Sequence, residues 1–260
     1  MLIHQNVKKI LFEASEIVEK YFKADLEVSY KEDHTPVTIA DKEVNTFLKP
    51  KLLELIANSA WLSEEEKDDK IRLKSEYIWV VDPIDGTKEF TKKIPELAIS
   101  IGLVKDNKPI LGAIMNPITK EGGICSIWES SDFWGFNKDK DKNKVSVIVS
   151  RSEYKSKRLS DFEKEVNITP IGSVAYKLLR ISAGMDDLYF SVFPKSEWDI
   201  CAGVAMIELT DQIYSRFDKK DNHFNMENTR IDSGALAGKK ELVADFKNRF
   251  DSLLVTQFRD

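Results

Sequence analysis

The chain has 260 residues, a length that sets an expectation of one to two domains. With 42% hydrophobic residues it holds enough apolar matter for a full core, which excludes a disordered or collagen-like chain. Its net charge of −5 also argues against coating nucleic acid, which needs a basic face to displace phosphate counterions.

The opening residues Ile3, Val7, Ile10, Leu11, Ala14, Ile17, Val18 and Tyr21 recur at helical spacing and predict an amphipathic helix. Lys8, Lys9, Glu13 and Glu16 interrupt it, so it lacks the apolar run of a signal peptide. Leu26 to Thr38 reads as extended. A second helix is predicted from Asp41, carrying Val44, Phe47, Leu48, Leu52, Leu55 and Ile56 inward, with a kink or break at Pro50. Glu64 to Glu76 reads as a charge-rich loop hanging from a strand at Trp61-Leu62. Such a loop could be a plain surface loop or a lid that orders on binding a metal.

Strands are predicted at Tyr77–Val81, Leu97–Val104, Pro109–Met115 and Ile124–Trp128. Leu97–Val104 is the longest apolar stretch, far short of the roughly 20 residues of a membrane helix. The expectation is a cytoplasmic protein without membrane insertion. Asn137–Lys144 reads as a solvated turn and sets a boundary between two subdomains, 1–140 and 141–260. Val145–Val149 restarts as a strand. Helix and strand patterns then alternate over Tyr154–Val166, Ile168–Ile171, Ala175–Ala183, Leu188–Val192 and Ile200–Leu209. An α+β first half and an alternating second half make this an α/β chain of stacked helix and sheet layers. Cys125 and Cys201 read as reduced core residues, and His4, His34 and His223, far apart, as surface residues.

The chemistry concentrates in Trp79-Val-Val-Asp82-Pro83-Ile84-Asp85-Gly86-Thr87-Lys88. Two carboxylates three residues apart end a buried-type strand where Pro83 withholds a donor and Gly86 permits an unusual backbone. The turn offers carboxylate and carbonyl oxygens suited to a hard divalent cation, and backbone N–H groups suited to phosphate. Read alone, it could also be an ordinary Asp-Gly turn. Further acids stand at Glu64, Asp199 and Asp41, and the last two read equally well as helix caps. No serine-nucleophile elbow, phosphate-binding P-loop or dinucleotide fingerprint is present in the sequence.

Taken together, Thr35–Asp41, Leu62–Glu65, Trp79–Thr87, Gly172-Ser173 and Trp198-Asp199 resemble the inositol monophosphatase superfamily of lithium-sensitive, magnesium-dependent phosphomonoesterases. The resemblance runs over residues 1 to about 209. Lys88-Glu89-Phe90 after Thr87, and Ser150-Arg151-Ser152, are most similar to the 3'(2'),5'-bisphosphate nucleotidases of sulfate assimilation. The resemblance implies a layered αβαβα sandwich that hydrolyses adenosine 3',5'-bisphosphate to AMP and phosphate. It implies that Glu64, Asp82, Asp85, Asp199 and the Ile84 carbonyl hold two or three Mg2+ ions. Asp41 and Thr87 would take the proton of the attacking water, and Gly86 and Thr87 would contact the scissile phosphate. Ser173 and Lys177 would bind the nucleotide end, although Gly172–Lys177 is one residue longer than the nucleotidase pattern. Glu64, Ile84, Asp85 and Asp199 would border the substrate as well.

The implied partner is a small phosphorylated nucleotide rather than nucleic acid, and a homodimer is common among such proteins. Two alternatives stay open: an inositol or sugar-phosphate phosphatase on the same scaffold, and a catalytically silent, metal-stabilised binding protein. The second draws on Leu209–Arg216, which replaces a glycine-rich turn usual in the family.

Overall fold

The computed structural model describes residues 2–24, 28–30, 36–137, 144–156 and 165–257. Helix α1 spans Leu2–Lys23 and buries Val7, Ile10, Leu11, Ala14 and Val18 as one stripe. Burying each large aliphatic side chain of that kind stabilises by about 1.5–3 kcal/mol. Contrary to its reading as a surface residue, His4 lies on this buried stripe, 1% exposed, with Nδ1 2.9 Å from Ser126 Oγ. The serine supplies the partner that lets an imidazole leave water. His223 is exposed, and His34 lies outside the described residues.

Strands β1 (Val28–Tyr30) and β2 (Pro36–Thr38) pair as an antiparallel ribbon leading into α2, Ile39–Leu55. Pro50 does not break α2. Its ring denies a hydrogen bond to the carbonyl of Thr46, four residues back, and both residues are exposed, so water can meet that carbonyl.

A six-stranded sheet follows, in the order β3 (Ala60–Ser63), β4 (Tyr77–Asp85), β5 (Ala98–Lys105), β6 (Lys108–Met115), β7 (Gly122–Ser126) and β8 (Asp132–Trp134). The five-residue helix α3, Thr87–Thr91, lies between β4 and β5. β3 and β4 are parallel and the remaining pairs antiparallel. Asp106 and Asn107, both at positive φ, make the two-residue turn between β5 and β6. β4 is apolar on both faces because both are covered: Trp79 and Val81 pack towards α1 and α2, while Ile78 and Val80 face the opposite layer.

The second half begins with β9 (Ser146–Val149), α4 (Arg151–Lys155), β10 (Asn167–Pro170), α5 (Val174–Ser182) and β11 (Leu188–Ser191). It continues through β12 (Lys195–Ser196), α6 (Glu197–Glu208), β13 (Ile213–Arg216), β14 (Arg230–Ile231), β15 (Ala235–Gly238) and α7 (Lys240–Gln257). The helix expected at Tyr154–Val166 starts earlier, at Arg151, because Ser150 and Glu153 form a capping box. It has ended before Val166, and 157–164 lie outside the described residues, as does most of the expected 137–144 turn.

The second sheet runs β10-β9-β11-β15-β13. Along its strands, Val147, Leu188, Phe190 and Leu236 face α7 while Ile148, Tyr189, Ala235 and Ala237 face α5 and α6. The result is five layers: α1 and α2, the six-stranded sheet, α5 and α6, the five-stranded sheet, and α7. α6 lies so close to the first sheet that a Cβ on Gly112 would stand 2.0 Å from the Ala202 carbonyl oxygen. That contact fixes where the N-terminus of α6 emerges. Cys125 and Cys201 are free and buried. No described helix is long and apolar enough to cross a membrane.

Candidate active site

The parallel strands β3 and β4 end side by side, and their carboxyl ends carry the acids. Glu64 follows β3 directly, its N–H donating to the Val81 carbonyl of β4 at 3.3 Å. In β4 the pairing with β5 slips between Asp82 and Asp85, which oppose Ser100 and Ala98. Three steps on one strand against two on the other make a β-bulge at Pro83-Ile84, where a missing donor does no harm. The bulge turns both aspartates to one end of the sheet. Gly86 ends the turn at φ +99, and a Cβ there would also crowd the Glu96 carbonyl at 2.9 Å.

From the other side, α6 presents Asp199 in its first turn. Asp199 Oδ2 accepts from Ser196 N at 2.7 Å, so the residue is a helix cap and a cavity acid at once. Glu64, Asp82 and Asp199 each bring a carboxylate oxygen within 4.8 Å of the other two. Asp85 is not in that triad. It borders the same cavity with Oδ2 accepting from Ser173 Oγ at 2.6 Å and Ala175 N at 2.5 Å. The Ile84 carbonyl, also at the cavity, accepts from Thr87 Oγ1 at 3.0 Å.

Thr87 Oγ1 lies 3.3 Å from Asp41 Oδ1. Asp41 is 2% exposed and its Oδ2 accepts from Thr38 N (2.8 Å) and Thr38 Oγ1 (2.7 Å), the reciprocal cap that starts α2. One oxygen therefore holds the helix and the other faces the threonine hydroxyl. Burial outweighs those bonds and pushes Asp41 from 3.8 up to about 6.

The remaining acids are displaced the same way. Burial, then the charges of Glu64, Asp85 and Asp199, hold Asp82 well above the ordinary carboxylate range. Burial, then Asp85, pushes Asp199 to about 7, and burial raises Asp85 against its two hydrogen bonds. Carboxylates gathered this closely resist ionising together unless a cation offsets them. The donor set is all hard oxygen with no nitrogen or sulfur, and it fits Mg2+-like ions.

Ser173 and Lys177 stand at the cavity too, but both are committed to its wall. Ser173, at φ +52, donates to Asp85 and accepts from Tyr176 N at 3.0 Å. Lys177 is 2% exposed, and its Nζ donates to the carbonyls of Ile171 (2.9 Å), Gly172 (3.3 Å) and Ser173 (2.8 Å). With three donors matched to three acceptors, its ammonium shapes the 171–173 turn. Burial lowers it to about 8.

The cavity encloses about 540 Å3. Cavity residues that the motif reading assigned no role include Lys92, Arg151, Ser152 and Lys155. The Ser-Arg-Ser segment was their only sequence signal. The charged segment after Glu64 is docked: Arg72, 1% exposed, donates to Asp68 Oδ2 (2.8 Å), Asn225 Oδ1 (2.7 Å) and the Met226 carbonyl (2.9 Å). Glu197 anchors the same loop by accepting from Asn225 N and Met226 N at 2.7 and 2.8 Å.

An α-β-α-β-α sandwich with a carboxylate cage at the ends of β3, β4 and the start of α6 is the architecture of a metal-dependent phosphatase. The inositol monophosphatase family model matches residues 3–248, and the chain belongs to that family. The match reaches well past residue 209, where the sequence motifs stop. Among curated proteins, the 3'(2'),5'-bisphosphate nucleotidase CysQ of Haemophilus influenzae is 28% identical over 76% of this chain and 78% of its own. The Salmonella typhimurium protein of the same name is 32% identical over 70% and 76%. The crystal structure of CysQ from Bacteroides thetaiotaomicron superposes with a TM-score of 0.75 at 23% identity, covering 91% of this chain and 97% of that one.

Proposed function

We propose that this protein is a magnesium-dependent 3'(2'),5'-bisphosphate nucleotidase that hydrolyses adenosine 3',5'-bisphosphate to AMP and phosphate. The observation that carries the reading is the convergence of Glu64, Asp82 and Asp199 within 4.8 Å beside the Asp41–Thr87 pair. The nucleotidase names of its relatives supply the substrate class.

Glu64, Asp82, Asp85 through Oδ1, Asp199 and the Ile84 carbonyl would hold the ions, with residues 1–140 supplying all but Asp199. Bound there, Mg2+ supplies positive charge that offsets the phosphate dianion and acidifies nearby water. Thr87 Oγ1 would then accept the proton of the attacking water and pass its own to Asp41 Oδ1, a buried carboxylate oxygen 3.3 Å away. The backbone N–H groups of Gly86 and Thr87 orient the scissile phosphate. Ser173 and Lys177 act as positioning residues, holding Asp85 and the 171–173 turn.

The test is phosphate release from adenosine 3',5'-bisphosphate, inositol monophosphate and fructose 1,6-bisphosphate, in chelator and after adding Mg2+. Turnover is expected only with Mg2+, with the nucleotide preferred. Preference for the inositol or sugar phosphate overturns the substrate, and turnover in chelator overturns the metal.

A further inference from the structure

A second cavity, of about 530 Å3, lies at the other end of α6 and shares no lining residue with the first. Glu208, the last residue of α6, borders it, roughly 14 Å of helix away from Asp199. Lys108, Arg216, Lys219, Lys220 and Lys247 line it, against the carboxylates of Glu208 and Asp221. Five basic side chains against two acidic ones reverse, locally, the sign of a chain whose net charge is −5. A concave surface lined by one sign of charge focuses the field and gathers counterions. Its wall is assembled from the start of β6, from β13 and the segment after it, and from α7. Tyr214, Ser215 and Arg216 belong to Leu209–Arg216, where the chain departs from the glycine-rich turn usual in its family.

The fold does not consume these charges. Arg216 is held by Asp218, Nη2 donating to Oδ2 at 2.6 Å, yet its Nε is buried with no acceptor among the described residues. Buried donors in folded proteins nearly always have an acceptor. Lys247 Nζ donates to the Ser215 hydroxyl at 2.8 Å and has two further donors. Lys108, Lys219 and Lys220 are exposed, and among the described residues their ammonium groups make neither a hydrogen bond nor an ion pair. They are not needed to cap α6 either. The carbonyls of Ala205, Met206 and Ile207 accept from Leu209 N (3.0 Å), Thr210 Oγ1 (2.8 Å) and Gln212 N (3.1 Å).

We propose that this pocket binds a small polyanion, a chain of linked phosphates either free or carried by a nucleotide. Lys108, Lys219 and Lys220 gather its oxygens around the anchored Arg216 and Lys247. Ammonium groups act on phosphate as point charges, and a guanidinium adds a planar fork of donors. Several phosphates in a row reach all of these cations, whereas a single phosphate meets only some of them. Tyr214, the one aromatic carbocycle in the wall, is 6% exposed, so recognition comes from charge rather than from an apolar body. The site lies away from the reacting centre, requires no metal and does not depend on the phosphatase reading. Its affinity is screened by salt, because three of its lysines are exposed.

The test is calorimetric titration of inorganic tripolyphosphate, and separately of adenosine 5'-triphosphate, into the metal-free full chain. K108A/K219A/K220A is compared with the wild type, and K88A/K92A/K155A, which strips the same charge from the mouth of the first cavity, is the control. All three are first shown to melt alike. Saturable binding that weakens about tenfold or more in K108A/K219A/K220A alone, and that falls as salt rises, is expected. If adenosine triphosphate binds about tenfold tighter than tripolyphosphate and loses that binding in the same variant, the chain is nucleotide-borne; otherwise the free chain is the ligand. Three results overturn the site: no saturable binding of either probe to the wild type, equal binding to K108A/K219A/K220A, or weakening as great in the control. Since turnover is not read, each of them leaves the nucleotidase reading standing.

Discussion

Raising the pH of the metal-free protein from 5 to 7.5 is expected to lower its melting temperature. A carboxyl whose folded-state pKa is raised stabilises the fold only while protonated. That contribution is complete below the unfolded value and disappears as pH climbs through the folded one. Asp41 moves from 3.8 to about 6 and Asp199 from 3.8 to about 7, so the window is about pH 4 to 7. For Asp41, 2% exposed, the full shift corresponds to about 3 kcal/mol, of which about 1.4 kcal/mol is lost between pH 5 and 7.5. At about 2–4 °C per kcal/mol for a chain near this size, Asp41 alone lowers the melting temperature by about 3–6 °C. Asp82 and Asp199 add in the same direction. The assay is a thermal melt in chelator at fixed ionic strength across that range, repeated with saturating Mg2+, which is expected to bind the folded cage alone and restore the loss. Asp82→Asn, close in shape but unable to ionise, should flatten the slope. A melting temperature that holds level or rises towards pH 7.5 in chelator would contradict acids held protonated by burial in this cavity.

Thr87→Val keeps the shape and removes the hydroxyl between Asp41 and the Ile84 carbonyl; kcat should fall about 100-fold or more with KM little changed, while Thr87→Ser keeps most of the rate. Asp85→Asn should raise the Mg2+ concentration for half-maximal activity at least about tenfold and lower the saturated rate, read from a metal titration of phosphate release. An unchanged titration would remove Asp85 from the ligand set, and no phosphate release by the wild type at any Mg2+ concentration would favour a silent binding protein. Gly112→Ala forces a Cβ towards the Ala202 carbonyl and should cost about 1–3 kcal/mol in chemical denaturation. Cleavage within 64–76 by a protease should be the same with and without Mg2+, since Arg72 already pins that segment to Asn225 and Met226, and should accelerate in Arg72→Ala.

The central strands of the first sheet were legible because they are buried on both faces and read as unbroken apolar runs, Tyr77–Val81 and Leu97–Val104 among them, whereas β8, three half-buried residues, gave no such signal. β4 extends further, to Asp85, since a bulge lets a strand carry Pro83 and two aspartates. The second sheet was only partly legible. β15 is Ala-Leu-Ala-Gly, whose small side chains give little period-two signal, yet it pairs with both β11 and β13. His4 was misplaced because its partner, Ser126, is 122 residues away. The site shows the same limit. Asp41 and Asp199 each satisfy a helix N-terminus locally, and only the fold reveals that the second oxygen of Asp41 meets Thr87 and that Asp199 meets Glu64 and Asp82. Lys177 matched a binding motif in sequence, but its length of chain delivers the ammonium to three backbone carbonyls.

Calorimetric titration of Mg2+ into the chelator-stripped protein, alongside Glu64→Gln, Asp82→Asn and Asp199→Asn, addresses the carboxylate cage without relying on turnover. Saturable binding by the wild type, weakened at least about tenfold in each folded variant, is the predicted result. A wild-type chain that takes up no divalent ion, or variants that bind it equally well, would contradict a metal site built from these three residues.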